Sequence, residues 1–233
     1  MKAVVSSLLP ENIKTSLSGF ADVFSLAPDD SVAAPVNTHP DMILSIIGSK
    51  AFLPKEYAEK NPELCSVMTD AGLETVLCGG ERSSVYPHDT ALNCAVGDGF
   101  IITRVKSTDK AILDCARQMN YDIIGVNQGY AGCSSVICGD SVITSDKGIF
   151  AAVKKIGREC LFVTNENIRL PGYDVGFIGG CGGFHDGVLY FFGNIDSVPC
   201  GKAIREFASR EKIGVVCLSD DTLTDYGGIK FLK

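Results

Sequence analysis

A unit that recurs four times constrains this chain more than any other feature. A polar loop, an apolar strand, a tight turn and a second apolar strand follow one another at 39–53, 88–102 and 130–144. A looser copy turns at Asp186-Gly187 before the strand Val188-Leu-Tyr-Phe-Phe192. Gly48, Gly97 and Gly139 open the first three turns, and His39 and His88 share one register ahead of them. From Gly48 through Gly97 and Gly139 to Asp186 the steps are 49, 42 and 47 residues. A period of that length signals a repeat architecture, in which each unit buries its apolar face against its neighbours. The polar loops of all units then converge on one axis, and function is expected there.

Helical patterns complete the unit. Thr108 to Met119 carries an apolar stripe at helical spacing, with Thr108 or Asp109 as N-cap, and leads into the strand Tyr121–Val126. The same order holds for 148–156 before 160–163, for 202–209 before 214–218, and for 11–20 before 22–26. Strands near Val23, Val76, Ile124, Val163 or Val175, and Val216 are expected to be the inner ones. The last unit stops after Gly228-Ile-Lys-Phe-Leu232, and the opening Lys2–Ser6 is expected to supply its missing strand, closing a circular array without a bare edge. With no linker or low-complexity stretch, residues 1–233 read as one domain.

Two competing layouts fail on local chemistry. A doubly wound parallel sheet has no use for a tight hairpin turn in every unit. The glycines of Gly176-Phe-Ile-Gly-Gly-Cys-Gly-Gly-Phe184 run into a hairpin, whereas a dinucleotide fingerprint requires a helix there to hold the pyrophosphate.

The formal charge of −7 argues against a nucleic-acid or anionic-membrane binder and allows a cationic ligand. No apolar run approaches a membrane span, and the N-terminal stretch is too short for a signal peptide, so a cytoplasmic protein is expected. Five of the ten cysteines, Cys78, Cys94, Cys115, Cys160 and Cys217, fall inside apolar runs, where they act as small hydrophobes, and reduced thiols are the default. No Cys-x-x-Cys occurs, Cys133 and Cys138 point to opposite faces if on one strand, and the histidines lack ligand spacing; neither metal nor cofactor is expected.

Module order, together with His88-Asp-Thr-Ala-Leu and Asn127-Gln-Gly-Tyr-Ala-Gly-Cys133-Ser-Ser, resembles the pentein fold, the five-bladed α/β propeller of the guanidino-group-modifying enzymes. The resemblance implies an α/β fold of five modules with pseudo-fivefold symmetry. It implies a cysteine nucleophile, a histidine acid/base and carboxylates that grip a guanidinium, as in deiminases, dimethylarginine hydrolases and amidinotransferases. In those enzymes the nucleophile comes from the last blade, whereas Cys133 lies in the third unit and the last offers Asp225-Tyr-Gly-Gly228. The fold also houses a non-enzymatic branch, the ribosome anti-association initiation factor. A non-catalytic protein that binds a small molecule, a protein or the ribosome is therefore the second reading.

Cys133 stands among Gly129, Gly132, Ser134 and Ser135, where glycines permit close approach of a substrate and expose amides that hold developing charge. His88 is the expected acid/base, with His39 as substrate contact or alternative base. Asp41, Asp89, Asp220 and Asp221 are the candidate cation partners, since a planar guanidinium is best held by bidentate carboxylates. Asn37, Asn93, Asn127 and Gln128 would be neutral donors in the cleft. The expected ligand is small and polar, with a cationic one allowed by the net charge, and a homodimer is left open.

Overall fold

The computed structural model describes residues 1–232. Five three-stranded mixed sheets carry the chain. The first combines β1 (Lys2–Ser6) and β2 (Asp22–Leu26) with the final strand, β15 (Lys230–Leu232), and α1 (Glu11–Ser18) bridges β1 and β2. The second holds β3 (Ser45–Ile47), β4 (Lys50–Pro54) and β5 (Glu74–Cys78). A short α2 (Pro40–Ile43) precedes β3, and α3 (Lys55–Lys60) with α4 (Pro62–Asp70) joins β4 to β5. The third holds β6 (Ala95–Gly97), β7 (Phe100–Thr103) and β8 (Asp122–Gly125), bridged by α5 (Lys110–Gln118). The fourth holds β9 (Ser135–Cys138), β10 (Ser141–Thr144) and β11 (Cys160–Phe162), with α6 (Lys147–Lys155). The fifth holds β12 (Gly182–His185), β13 (Val188–Phe191) and β14 (Gly214–Cys217), with α7 (Gly201–Arg210).

Each unit is thus an antiparallel hairpin whose second strand crosses through a helix to a parallel third strand. The hairpins close through two-residue turns, with Ile47 opposite Lys50, Gly97 opposite Phe100, Cys138 opposite Ser141 and His185 opposite Val188. Such turns need left-handed backbone. Gly48, Gly139 and the pair Asp186-Gly187 supply it, while in the third unit Gly99 rather than Gly97 has the positive φ. Asp109 caps α5 by accepting from the Ala111 amide at 2.8 Å, and Asp146 does the same for α6 through Ile149.

The strands expected to be inner are the outer ones. β2, β5 and β8 begin exposed and are only half buried along most of their length, and Val175 is in an exposed loop. The first strand of each hairpin lines the axis instead: β3 neighbours β6, β6 neighbours β9, β9 neighbours β12 and β12 neighbours β15. Apolar runs marked both kinds of strand, because the outer one still packs a helix. β1 pairs antiparallel with β15, with Lys2 opposite Leu232, so strands from both ends of the chain share one sheet.

The core is divided in five, one apolar cluster between each pair of neighbouring sheets. Ile47 and Phe52 of the second sheet meet Ile101 of the third, and Ala3 and Val5 of the first meet Tyr190 and Phe192 at the fifth. A unit alone would leave both faces bare, which is why the sequence must repeat. All ten cysteines are unpaired. No helix among the described residues is long and apolar enough to cross a membrane.

Candidate functional site

The loops that enter the inner strands meet on the axis and bring four chemically active side chains together. Asp41 comes from α2, Asn93 from the loop before β6, Cys133 from the loop before β9, and Asp225 from the loop before β15. All four are buried. His39, also buried, packs beside Asp225 with Nδ1 3.8 Å from Oδ1.

Asn93, wholly buried, ties the group together. Its Oδ1 accepts from the amides of Gly132 at 2.7 Å and Cys133 at 3.2 Å. Its Nδ2 donates to the Asp41 carbonyl and to the Cys133 Sγ, each at 3.0 Å, and lies 3.2 Å from the Met42 Sδ. One amide thereby fixes the thiol's backbone, its sulfur and the neighbouring carboxylate's main chain. Asp225 is held as firmly, accepting from the Phe177 and Gly227 amides at 2.9 Å each. Asp41 differs. The Cys133 thiol is close enough to act on its ionisation, but neither carboxylate oxygen has a hydrogen-bond partner that meets normal geometry.

Glycines make this crowding possible. A Cβ on Gly180 would sit 1.8 Å from the Asp225 Oδ1, and one on Gly179 would fall 2.2 Å from the Gly132 carbonyl oxygen. Gly227, at φ +80°, leaves room for His39 and donates to Asp225.

Burial sets the electrostatics. It raises Asp41 to about 6, against the Lys230 ammonium, which pulls it down, and the Cys133 thiol. Burial and then the charge of Asp41 raise Asp225 to about 7, opposed by its two amide bonds. The Cys133 thiol is pushed well above its ordinary value by burial, then by the charges of Asp41 and Asp225, while Asn93 works the other way. Burial lowers His39 to about 4, so its imidazole is neutral. The resting site is two reluctant carboxylates around a protonated thiol.

The remaining sequence candidates lie elsewhere. His88 is exposed and lines a cavity of about 580 Å³ between the first and second units, which Cys133 does not reach. The expected Cys133–His88 pair is therefore not assembled. His39 and His88 stand equally far from their turns, but the two loops differ in length. Each begins a 3-10 turn after a proline, Pro35 or Pro87, and counted from those prolines it is Val36 that matches His88 and Asp41 that matches Asn93. Asp89 is buried and accepts from the Tyr130 hydroxyl at 2.5 Å. Gln128 bonds Asp146 and the Tyr130 amide, Asn127 is exposed, and the half-buried Asn37 offers its carbonyl to the Asp29 amide. Asp220 and Asp221 are exposed, because the strand they follow is outer. Asp225 is the functional candidate that the sequence reading passed over. Its signal was its place, a carboxylate just before a double glycine and the final inner strand. Among the described residues no cluster of three or more His, Cys, Asp or Glu side chains is placed to hold a metal.

Five three-stranded units with inner strands around one axis give the chain the pentein fold. The profile of the family described as "Family of unknown function (DUF6873)" matches residues 4–230, and the chain belongs to that family. Its fold is that of SxtG, an amidinotransferase from the saxitoxin biosynthetic pathway of Microseira wollei, at TM-score 0.60 and 9% identity over 100% of this chain and 94% of that one. It is likewise similar to the DDAH of Pseudomonas aeruginosa in complex with citrulline (TM-score 0.58, 7% identity, 94% and 91% covered). The inosamine-phosphate amidinotransferase StrB1 of Streptomyces griseus gives TM-score 0.59 at 11% identity, with 96% and 79% covered. No curated protein matches the sequence.

Proposed function

We propose that this pentein acts on a small molecule bearing a guanidinium or amidinium group, bound between Asp41 and Asp225 with its central carbon against the Cys133 sulfur. The observation that carries this reading is Asp41, a fully buried carboxylate with both oxygens unpartnered beside a thiol. A buried anion without donors is costly, and a planar cation with several N–H groups supplies what it lacks.

The same cation reverses the charge that holds the thiol proton. With the ligand bound, the fields of Asp41 and Asp225 are offset and thiolate becomes accessible. Asp41 takes the proton, Sγ forms a bond to the amidine carbon, and the adduct collapses by breaking a C–N bond. The departing amine takes up the proton that Asp41 received. Water or a second amine then adds to the amidine carbon and the C–S bond breaks, the nucleophile's proton passing through Asp41 to the Cys133 thiolate, which gives hydrolysis or amidino transfer. His39 positions Asp225 in this scheme, and His88 has no part in it.

Alkylation by 2-chloroacetamidine at neutral pH, read by mass spectrometry against neutral 2-chloroacetamide, tests the proposal. Cys133 is expected to react faster with the cationic reagent, and Asp41→Asn to remove the difference. Equal rates for both reagents, or label spread over several cysteines, would sink the catalytic reading. A second reading, binding without catalysis, is favoured by the well-raised thiol pKa. It predicts saturable guanidinium binding with Cys133 unlabelled.

A further inference from the structure

Of the axial cluster, Asp41 is the member that reaches a cavity open on one side of the molecule, the side of the hairpin turns. The cavity, of about 570 Å³, runs from the turns at Gly48, Asp98, Gly139 and Asp186 to Asp41, Gly132, Gly179 and Gly227. That volume lies within the range of small-molecule sites. On the opposite face, the loops of the first two units are strapped together. Arg82 pairs with Asp29 at 2.5 Å, both side chains buried, and donates to the Met42 carbonyl at 2.9 Å. Met42, Tyr130 and Phe177 pack in the same apolar cluster as Cys133.

Two opposite charges mark the cavity. Asp41, at its inner end, keeps two unpartnered oxygens. Lys230, half buried on β15, also lines it, and its ammonium acts through space on Asp41 and on Cys94, another lining residue. Ile46, Ile137, Phe184 and Ile229 make much of the wall between charge and turns apolar. A site with an anion within, a cation on its wall and hydrocarbon around them is complementary to a molecule carrying both charges on a short aliphatic spacer.

We propose that this turn-side cavity is the ligand's entrance and binding site, and that it takes a small zwitterion whose cationic end meets Asp41 and whose anionic end meets Lys230. This rests on the cation-binding reading above and adds the route and the second charge. Lys230 is then the residue that determines specificity: it rewards an anionic tail and repels a purely cationic ligand.

Calorimetric titration with 4-guanidinobutyrate and with butylguanidine, which lacks the carboxylate, separates the claims. The intact protein is expected to prefer the zwitterion. Lys230→Met keeps the apolar stem and should weaken the zwitterion at least about tenfold, as loss of a charge-assisted contact does. Butylguanidine binding should hold or improve. Lys230→Arg should retain the preference and Lys230→Glu should invert it. If butylguanidine binds but Lys230→Met leaves the preference untouched, the entrance and zwitterion proposal falls while the cation site stands. If neither compound binds the intact protein, both readings fall together.

Discussion

Asp41 stands where a carboxylate is least at ease, enclosed, unbonded and facing a second carboxylate across a thiol. Its cost can be read from pH. Asp41 and Asp225 titrate higher in the folded chain than in the unfolded one, at about 6 and about 7. The stability they contribute is complete below their unfolded values near 3.8 and is lost as pH rises through 6 and 7. His39 runs oppositely: its contribution is present above 6.5 and is lost as pH falls through about 4. Asp41→Asn removes an ionisation and forfeits no accepted hydrogen bond. It should therefore stabilise the protein at pH 8 by on the order of 1–3 kcal/mol and give no gain at pH 4. Urea midpoints at both pH values check this, and equal effects at the two would contradict the buried charge. Asn93 behaves in the contrary way. Asn93→Leu leaves the Gly132 and Cys133 amides and the Asp41 carbonyl without their partner, and should cost about 2–4 kcal/mol at either pH, measured by thermal unfolding.

The elements that carry these residues are the five entries from loop into inner strand, and they tolerate no added bulk. Gly179→Ala would drive a Cβ into the carbonyls of Gly132, Cys133 and Ser135, all backbone and unable to step aside. Several kcal/mol of destabilisation is expected. Gly99→Ala, in an open hairpin turn at φ +73°, pays only for its left-handed backbone, about 1 kcal/mol. Comparing the two melting temperatures tests whether the axis or the turns limit stability. The same junctions explain what could be read in the sequence. Cys133, Asp41 and His39 were legible because polar residues beside a glycine or proline, just ahead of an apolar hairpin, have few other reasons to be there, and Asn93 because it is a polar residue inside the apolar run that enters β6. His88 misled because register was counted from the turn, which hides a difference in loop length that the prolines at 35 and 87 reveal. Asp220 and Asp221 misled because an outer strand packed against its helix is as apolar as an inner one. Asp225 was overlooked because the last unit breaks off after one strand and its sheet is completed by residues 2–6 and 22–26.

That split unit makes the ring depend on both ends of the chain. β15 is the inner strand of the first sheet, it carries Lys230, and the loop before it carries Asp225. Every apolar cluster lies between two sheets, so losing one strand exposes the faces on either side of it. Removing residues 229–233 should therefore abolish one cooperative urea transition, beyond simply weakening it. Where the chain is cut is a separate matter from whether the ring closes. Lys2 already pairs with Leu232, so a short linker can join the ends, and the exposed turn at Ile156-Gly157, away from the cavity, can be opened to make new ones. Such a circular permutant keeps all five sheets and every axial side chain. It should unfold in a single transition and, where the guanidinium reading holds, bind butylguanidine as the parent does. A permutant that unfolds in two steps would mean that the units on either side of the cut hold together without the closed ring.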